Sequence, residues 1–332
     1  MHPDLIRIFN FPIAWYGVLI TLGVLVGSVI ATRMAERRGL NANLMSDLIV
    51  WTVLWGVIGS RVFYILTSPD QFRGAGFLQL INIRQGGISI HGGIIFGLIV
   101  IAYYQWRHKI NFYRYADLMV PGVALGIIGG RLGNFFNGAD TMGRVTGWPI
   151  AWTWPKEGSS ILGIFNSPEN WRGMPGLCSV DGVYHMMGTA ECFPVTTAGL
   201  DPIRGPVHLT QIYGVIIGVV LLIAAFYWLR SKRPGWAMWQ FVLWYSLLRA
   251  GIEETFRLNP LWWKVYLSEG PGTPGIGLFT ATQLFSIPLI ILAIIMLVRL
   301  ARSPIPPTNP VPVPVGSGGP SNTAAKAQKP ER

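Results

Sequence analysis

Charge is scarce in this chain. Of its 332 residues, 12% are charged, about half the share usual in soluble domains. Cysteine is scarcer still: Cys178 and Cys192 are the only two, so at most one disulfide can form. The long apolar segments lack polar faces, which excludes the buried helices of a large soluble protein. An internal repeat is also missing, which argues against the paired halves of many secondary transporters. No basic stretch precedes the first apolar run, and that run is full length, so a cleavable signal peptide is not expected.

What the chain has instead is hydrophobicity, 51% of its residues, gathered into runs of roughly 20 residues, the length of a membrane span. Seven such runs occupy 13–33, 47–67, 88–106, 116–134, 209–229, 236–256 and 279–300. The expected fold is therefore an all-α integral membrane protein with seven transmembrane helices. Basic residues cluster in alternate linkers: Arg33, Arg37 and Arg38; Arg107, Lys109 and Arg114; Arg230, Lys232 and Arg233. The positive-inside rule then places the N-terminus outside and the C-terminus in the cytoplasm. The net charge of +11 reads as topology, and no nucleic-acid partner is expected.

Residues 138–207 are too long for a plain connector and predict an extracytoplasmic head inserted between helices 4 and 5. Both cysteines lie there, and a disulfide and two free thiols are equally compatible with the sequence. Trp148, Trp152, Trp154, Trp262 and Trp263 fall near the outer interface, where indoles concentrate. The membrane domain, head included, spans 1–302, and the Pro-rich remainder, 303–332, predicts a disordered cytoplasmic tail.

Counting along the spans locates the polar residues within them. In "GGRLGNFFNG", 129–138, Arg131 and Asn134 fall near the outer end of span four. Span six brings Tyr245 to mid-depth, with Arg249 and Glu253 further out and Glu254 and Arg257 at the exit. Arg61 lies in the outer half of span two, His91 at the outer start of span three, and Tyr16 at the outer start of span one. Each has a bland reading: a snorkelling arginine, an Arg249–Glu253 pair one turn apart, a helix-capping histidine. Gly126 with Gly130, and Gly129 with Gly133, also fit the small-residue spacing of close helix packing. Convergence of so many costly groups at one depth points to a functional site. Guanidinium forks suit phosphate oxygens, and a phospholipid headgroup is the anion already resident at that depth.

These motifs resemble the prolipoprotein diacylglyceryl transferase family. The resemblance rests on "GGRLGNFFNG" with "GRV" at 143–145, and on "WYG" at 15–17, "GSRVFY" at 59–64 and "GGISIHGG" at 86–93. "YADLMVPGVALG" at 115–126, "YSLLRAGIEETFR" at 245–257 and "TQLFS" at 282–286 follow in the family's order. The resemblance implies transfer of a diacylglyceryl group from phosphatidylglycerol to the lipobox cysteine of a prolipoprotein signal peptide, with release of glycerol phosphate. It implies a multi-pass protein of the bacterial cytoplasmic (inner) membrane, active toward the outer face, monomeric, with no cofactor and no metal. His91, Arg131 and Arg249 take the catalytic roles. Phosphatidylglycerol would be held by Tyr16, Arg61, Arg131, Asn134, Asn137, Gly143, Tyr245, Arg249 and Glu253. His91 is the candidate base for the thiol, although the arginines could favour the thiolate electrostatically.

Two positions depart from the family's pattern. Ala139 stands where "NG" is usually followed by glutamate, with Asp140 a possible replacement acid. Gly214 ends "HLTQIYG", 208–214, where the family's motif ends in an acid, while His208, Gln211 and Tyr213 remain. Glu157, Asp181 and Glu191 of the head are further candidates. The two losses support an alternative: a divergent phospholipid-binding accessory membrane protein, or a transferase with a different acceptor.

Overall fold

The computed structural model describes residues 4–9, 11–72, 74, 76, 80–81, 87, 89–137, 143, 152–153, 177–180, 183–186, 193–194, 206–257, 261–267 and 276–305. It is mostly helical. The long helices are α1 (Trp15–Arg37), α2 (Ala42–Thr67), α3 (Ile90–His108), α4 (Phe112–Asn137), α5 (Thr210–Trp228), α6 (Trp236–Leu248) and α7 (Ala281–Arg302). α6 runs on through a π-helical turn, Arg249–Glu253, and a last α turn, Glu254–Phe256. Every expected run therefore coincides with a helix, within a few residues at each end.

Five of these helices, all but α3 and α6, are long and apolar enough to cross a membrane by length and composition. The regular part of α6 is cut to 13 residues by the π turn. α3 opens on His-Gly-Gly and closes on Gln-Trp-Arg-His, which dilutes its apolar run. Around the helices lie small antiparallel sheets that the apolar pattern does not announce. They are β1–β2 (Asp4–Ile8, Phe11–Ala14) before α1 and β8–β9 (Leu261–Leu267, Ile276–Thr280) before α7. Between α4 and α5, β3 (Trp152–Thr153) pairs with β7 (Pro206–Val207). There too β4 (Leu177–Val180), β5 (Val183–Met186) and β6 (Phe193–Pro194) form a three-stranded sheet. The side chain of Cys178, all of Cys192, and Glu157, Asp181 and Glu191 lie outside the described residues, as does the tail beyond 305.

The bundle is apolar outside and buries several polar side chains within. Leu22, Leu25, Val29, Ile223 and Leu292 stand on the outer surface, whereas His208, Gln211, Glu253 and Glu254 are among the largest fully buried side chains. That inversion is what a lipid solvent selects, since apolar side chains gain nothing by leaving hydrocarbon. α1 and α4 approach backbone to backbone. A Cβ on Gly27 would stand 2.5 Å from Gly122 Cα, one on Gly129 2.5 Å from the Leu19 carbonyl oxygen, and one on Gly133 2.7 Å from Tyr16 Cα. The close-packing stripe on α4 is thus Gly122, Gly129 and Gly133. Gly126, expected to share it, has no atom within 4 Å of its Cβ position.

At the end of the bundle that carries the basic linkers, helix termini are capped by side chains from distant parts of the chain. Asp117 of α4, buried, accepts from the Gly235 and Met238 amides (2.7 and 2.9 Å) at the start of α6. Arg38 donates to the Leu229 carbonyl after α5, and Arg233 to the Leu300 and Ser303 carbonyls at the end of α7. Away from water these orphan backbone groups must find such partners. The opposite end carries Arg131, Arg249 and Glu253.

Candidate active site

α4 and the extension of α6 meet at that opposite end. Arg131 Nη2 lies 2.8 Å from Glu253 Oε1, and Arg249 Nη1 reaches the same oxygen from one turn away on α6. Arg249 Nη2 also lies 3.4 Å from Glu254 Oε2, an ion pair too long for a strong hydrogen bond. Both carboxylates are fully buried, and both arginine side chains keep 12% of their surface exposed. Charge at Arg257 also acts on Glu253. Arg131 and Arg249 thus face Glu253 and Glu254 in one buried cluster.

The π turn makes this arrangement possible. In an α-helix, residues i and i+5 point to different sides, so Arg249 could pair with Glu253 or Glu254 but not both. A π turn inserts one residue per turn and brings i+4 and i+5 within reach of one side chain. The turn is supported from α7. Gln283 donates from Nε2 to the Ala250 carbonyl at 3.0 Å, while its Oε1 accepts from the Thr280 amide and its own amide donates to Thr280 Oγ1. Thr255 adds a bond from Oγ1 to the Gly251 carbonyl at 2.6 Å. Gln283 thus caps α7 and holds the turn carrying Arg249. Its only announcement in the sequence is the "TQLFS" motif.

The cluster is walled by close contacts. The Arg131 side chain runs over Gly214 of α5, where a Cβ would fall 2.7 to 2.8 Å from its Cδ, Cγ and Nε. Gly143 bridges to Arg257 in an antiparallel backbone pair, and a Cβ on it would stand 1.9 Å from the His208 carbonyl oxygen. His208, buried, places Nδ1 3.1 Å from the Tyr213 hydroxyl and packs its ring, tilted by 42°, 4.4 Å from that of Phe256. Tyr245 lies parallel to Phe241 at 5.7 Å, in the field of Arg131 and Glu253. Tyr16 packs its backbone on Gly133, and Trp15 stacks on Phe136 at 4.7 Å. Asn134 is buried one turn from Arg131.

Other expected residues fall elsewhere. His91 sits at the start of α3, exposed, its ring 6.2 Å from that of Phe63 and its Nδ1 3.5 Å from Ser89 Oγ. Arg61 belongs to the same α2–α3 hairpin and donates to backbone carbonyls there. Ala139, Asp140 and the side chain of Asn137 lie outside the described residues.

The model of the prolipoprotein diacylglyceryl transferase family matches residues 3–299. The chain belongs to this family. A relative from Deinococcus radiodurans, named phosphatidylglycerol–prolipoprotein diacylglyceryl transferase, is 49% identical over 317 residues, covering 94% of this chain and 89% of the relative. The protein of the same name from Thermus thermophilus is 43% identical over 302 residues, 90% of this chain and 98% of its own. A third, from a Thermoanaerobacter species, is 27% identical over 305 residues. Matches of that length take in the head as well as the helices. Of the motifs, "GGRLGNFFNG" and "YSLLRAGIEETFR" meet in the buried arginine–glutamate cluster, whereas "GSRVFY" and "GGISIHGG" lie in the α2–α3 hairpin.

Proposed function

We propose that this protein transfers the diacylglyceryl group of phosphatidylglycerol to the lipobox cysteine of prolipoproteins, at the outer face of a bacterial cytoplasmic membrane. Transferase activity follows from membership of the family and from the names of its relatives. The observation that carries the residue roles is the convergence of Arg131 and Arg249 on one oxygen of Glu253. Glu253 holds the two forks side by side and prevents their mutual repulsion. Two guanidinium forks side by side suit the oxygens of a phosphodiester.

The step balances as a displacement at carbon. The cysteine sulfur attacks the glyceryl carbon bonded to the phosphate oxygen. A carbon–sulfur bond forms, the carbon–oxygen bond breaks, and its electron pair leaves on glycerol phosphate. Arg131 and Arg249 stabilise the second negative charge that develops on the phosphate; fixed donors in a site shielded from water contribute several kcal/mol to such a step. His91 takes the thiol proton, since only the thiolate is a competent nucleophile. Tyr16, Asn134, Gly143 and Tyr245 surround the headgroup. Asn137 is assigned to the same pocket through the family's signature. The bundle spans the membrane seven times with the basic linkers in the cytoplasm, because they all lie at one end and the cluster at the other. One copy of the chain carries the whole site.

The purified protein, incubated with headgroup-labelled phosphatidylglycerol and a lipobox peptide, tests this. Label is released as glycerol phosphate only with the cysteine peptide, and the peptide gains a thioether. Release with a serine-substituted peptide, or lipid binding without turnover, contradicts it; the latter favours the accessory-protein alternative.

A further inference from the structure

Depth alone groups Arg61 with the phosphate-binding arginines, but its contacts tell a different story. Arg61 is buried on α2, with Nε donating to the Leu80 carbonyl at 2.7 Å and Nη1 to the Gly87 carbonyl at 2.8 Å. Its guanidinium lies over the Phe72 ring, 5.1 Å from the centroid. Both carbonyls belong to the connection between α2 and α3, and a rigid fork of donors can satisfy two such groups at once.

Two neighbours of Arg61 hold the same segment. The Ser89 amide donates to the Ser60 carbonyl at 2.9 Å. Gly92 lies directly on Gly59, where a Cβ would stand 2.1 Å from the Gly59 carbonyl oxygen. Three consecutive residues of α2 thus fasten positions 87, 89 and 92. Gly87 has a positive φ of 79°, and a Cβ there would meet Arg61 Nη1 at 2.7 Å. His91 lies inside this fastened stretch, so its position is set by the three attachments.

We propose that Arg61 is a positioning residue that fixes the segment carrying His91, and that it does not hold the lipid phosphate. The proposal rests on His91 acting on the thiol. A misplacement of about 1 Å in a reacting group can cost on the order of 10²-fold in rate. Lysine, with one ammonium, reaches one carbonyl at a time.

The test compares wild type, Arg61→Lys, His91→Gln and the double variant, with hydrogen exchange of peptides covering 87–93 as a second readout. Arg61→Lys is expected to lower kcat by roughly 10- to 100-fold and leave KM for phosphatidylglycerol unchanged. It should speed exchange in 87–93 while α1 and α4 exchange as before. The double variant should be no slower than His91→Gln alone, because residues acting as one unit are not additive. Gly87→Ala attacks the same contact from the other side and should reproduce the pattern if Arg61→Lys does not accumulate. A raised KM with kcat kept would make Arg61 a lipid ligand and overturn the proposal. Unchanged exchange, or an Arg61→Lys effect that multiplies with that of His91→Gln, would overturn it equally. Full activity in His91→Gln would instead sink the reading of His91 as base, and exchange would decide the attachment by itself.

Discussion

Arg131 on α4 and Glu253 in the π turn of α6 meet at 2.8 Å, and Arg249 reaches the same carboxylate oxygen while its second nitrogen faces Glu254. One arginine thus connects two buried acids. A lysine at 249 would have to choose between them, giving up one of the two contacts. Hydrogen bonds to charged groups contribute about 1.5–3 kcal/mol, so Arg249→Lys should slow transfer by roughly 10- to 100-fold. Steady-state release of glycerol phosphate measures this; a wild-type rate would reduce Arg249 to a point charge.

Gly214 gives the sharpest prediction. Read from the sequence, it is a lost acid. In the structure it is the floor over which Arg131 passes, with room for no side chain. Gly214→Glu, which restores the acid of the family's motif, should therefore abolish transfer, and Gly214→Ala should impair it at least about tenfold by displacing Arg131. Improved activity in Gly214→Glu would show that the missing carboxylate was a true loss.

Gln283 supports the π turn from another helix. Gln283→Leu removes the 3.0 Å bond to the Ala250 carbonyl, which Thr255 Oγ1 reaches only at 3.4 Å, and half of the α7 cap. Losing a hydrogen bond of this kind costs about 0.5–1.5 kcal/mol. Both thermal stability in detergent and transfer rate should fall, because Arg249 begins the turn that Gln283 holds. A variant destabilised but fully active per folded molecule would separate the turn from catalysis.

Asp117 provides the contrast. It caps the start of α6 at the far end of the bundle. Asp117→Ala should lower stability by about 1–2 kcal/mol, the usual cost of a lost N-terminal cap, while transfer per folded molecule stays unchanged. A large loss of kcat at unchanged stability would mean that the two ends of the bundle are coupled.

The sequence discloses depth and hides direction. Lipid demands uniformly apolar spans, so counting residues located every helix and set Arg131, Arg249 and Glu253 at one level. Counting cannot say which way a side chain leaves its helix. Arg61 shares that level yet turns to the Leu80 and Gly87 carbonyls. The Arg249–Glu253 pair was readable because i and i+4 neighbour each other in an ordinary helix. Glu254 joins it only through the π turn, which no local pattern in "RAGIEETF" marks. The Asp117 cap and the Gln283 brace were hidden for a related reason: each depends on which helices become neighbours. The small sheets at the rim lie in short mixed-polarity stretches where span counting has no purchase.

The most direct test of the account is Arg131→Ala in the reconstituted reaction with headgroup-labelled phosphatidylglycerol and lipobox peptide, with lipid binding measured on the same preparation. If Arg131 holds the phosphate, the variant folds into the membrane, binds the lipid more weakly and releases no glycerol phosphate. If it binds and turns over phosphatidylglycerol as wild type does, the arginine–glutamate cluster is structural, and the site of transfer lies elsewhere.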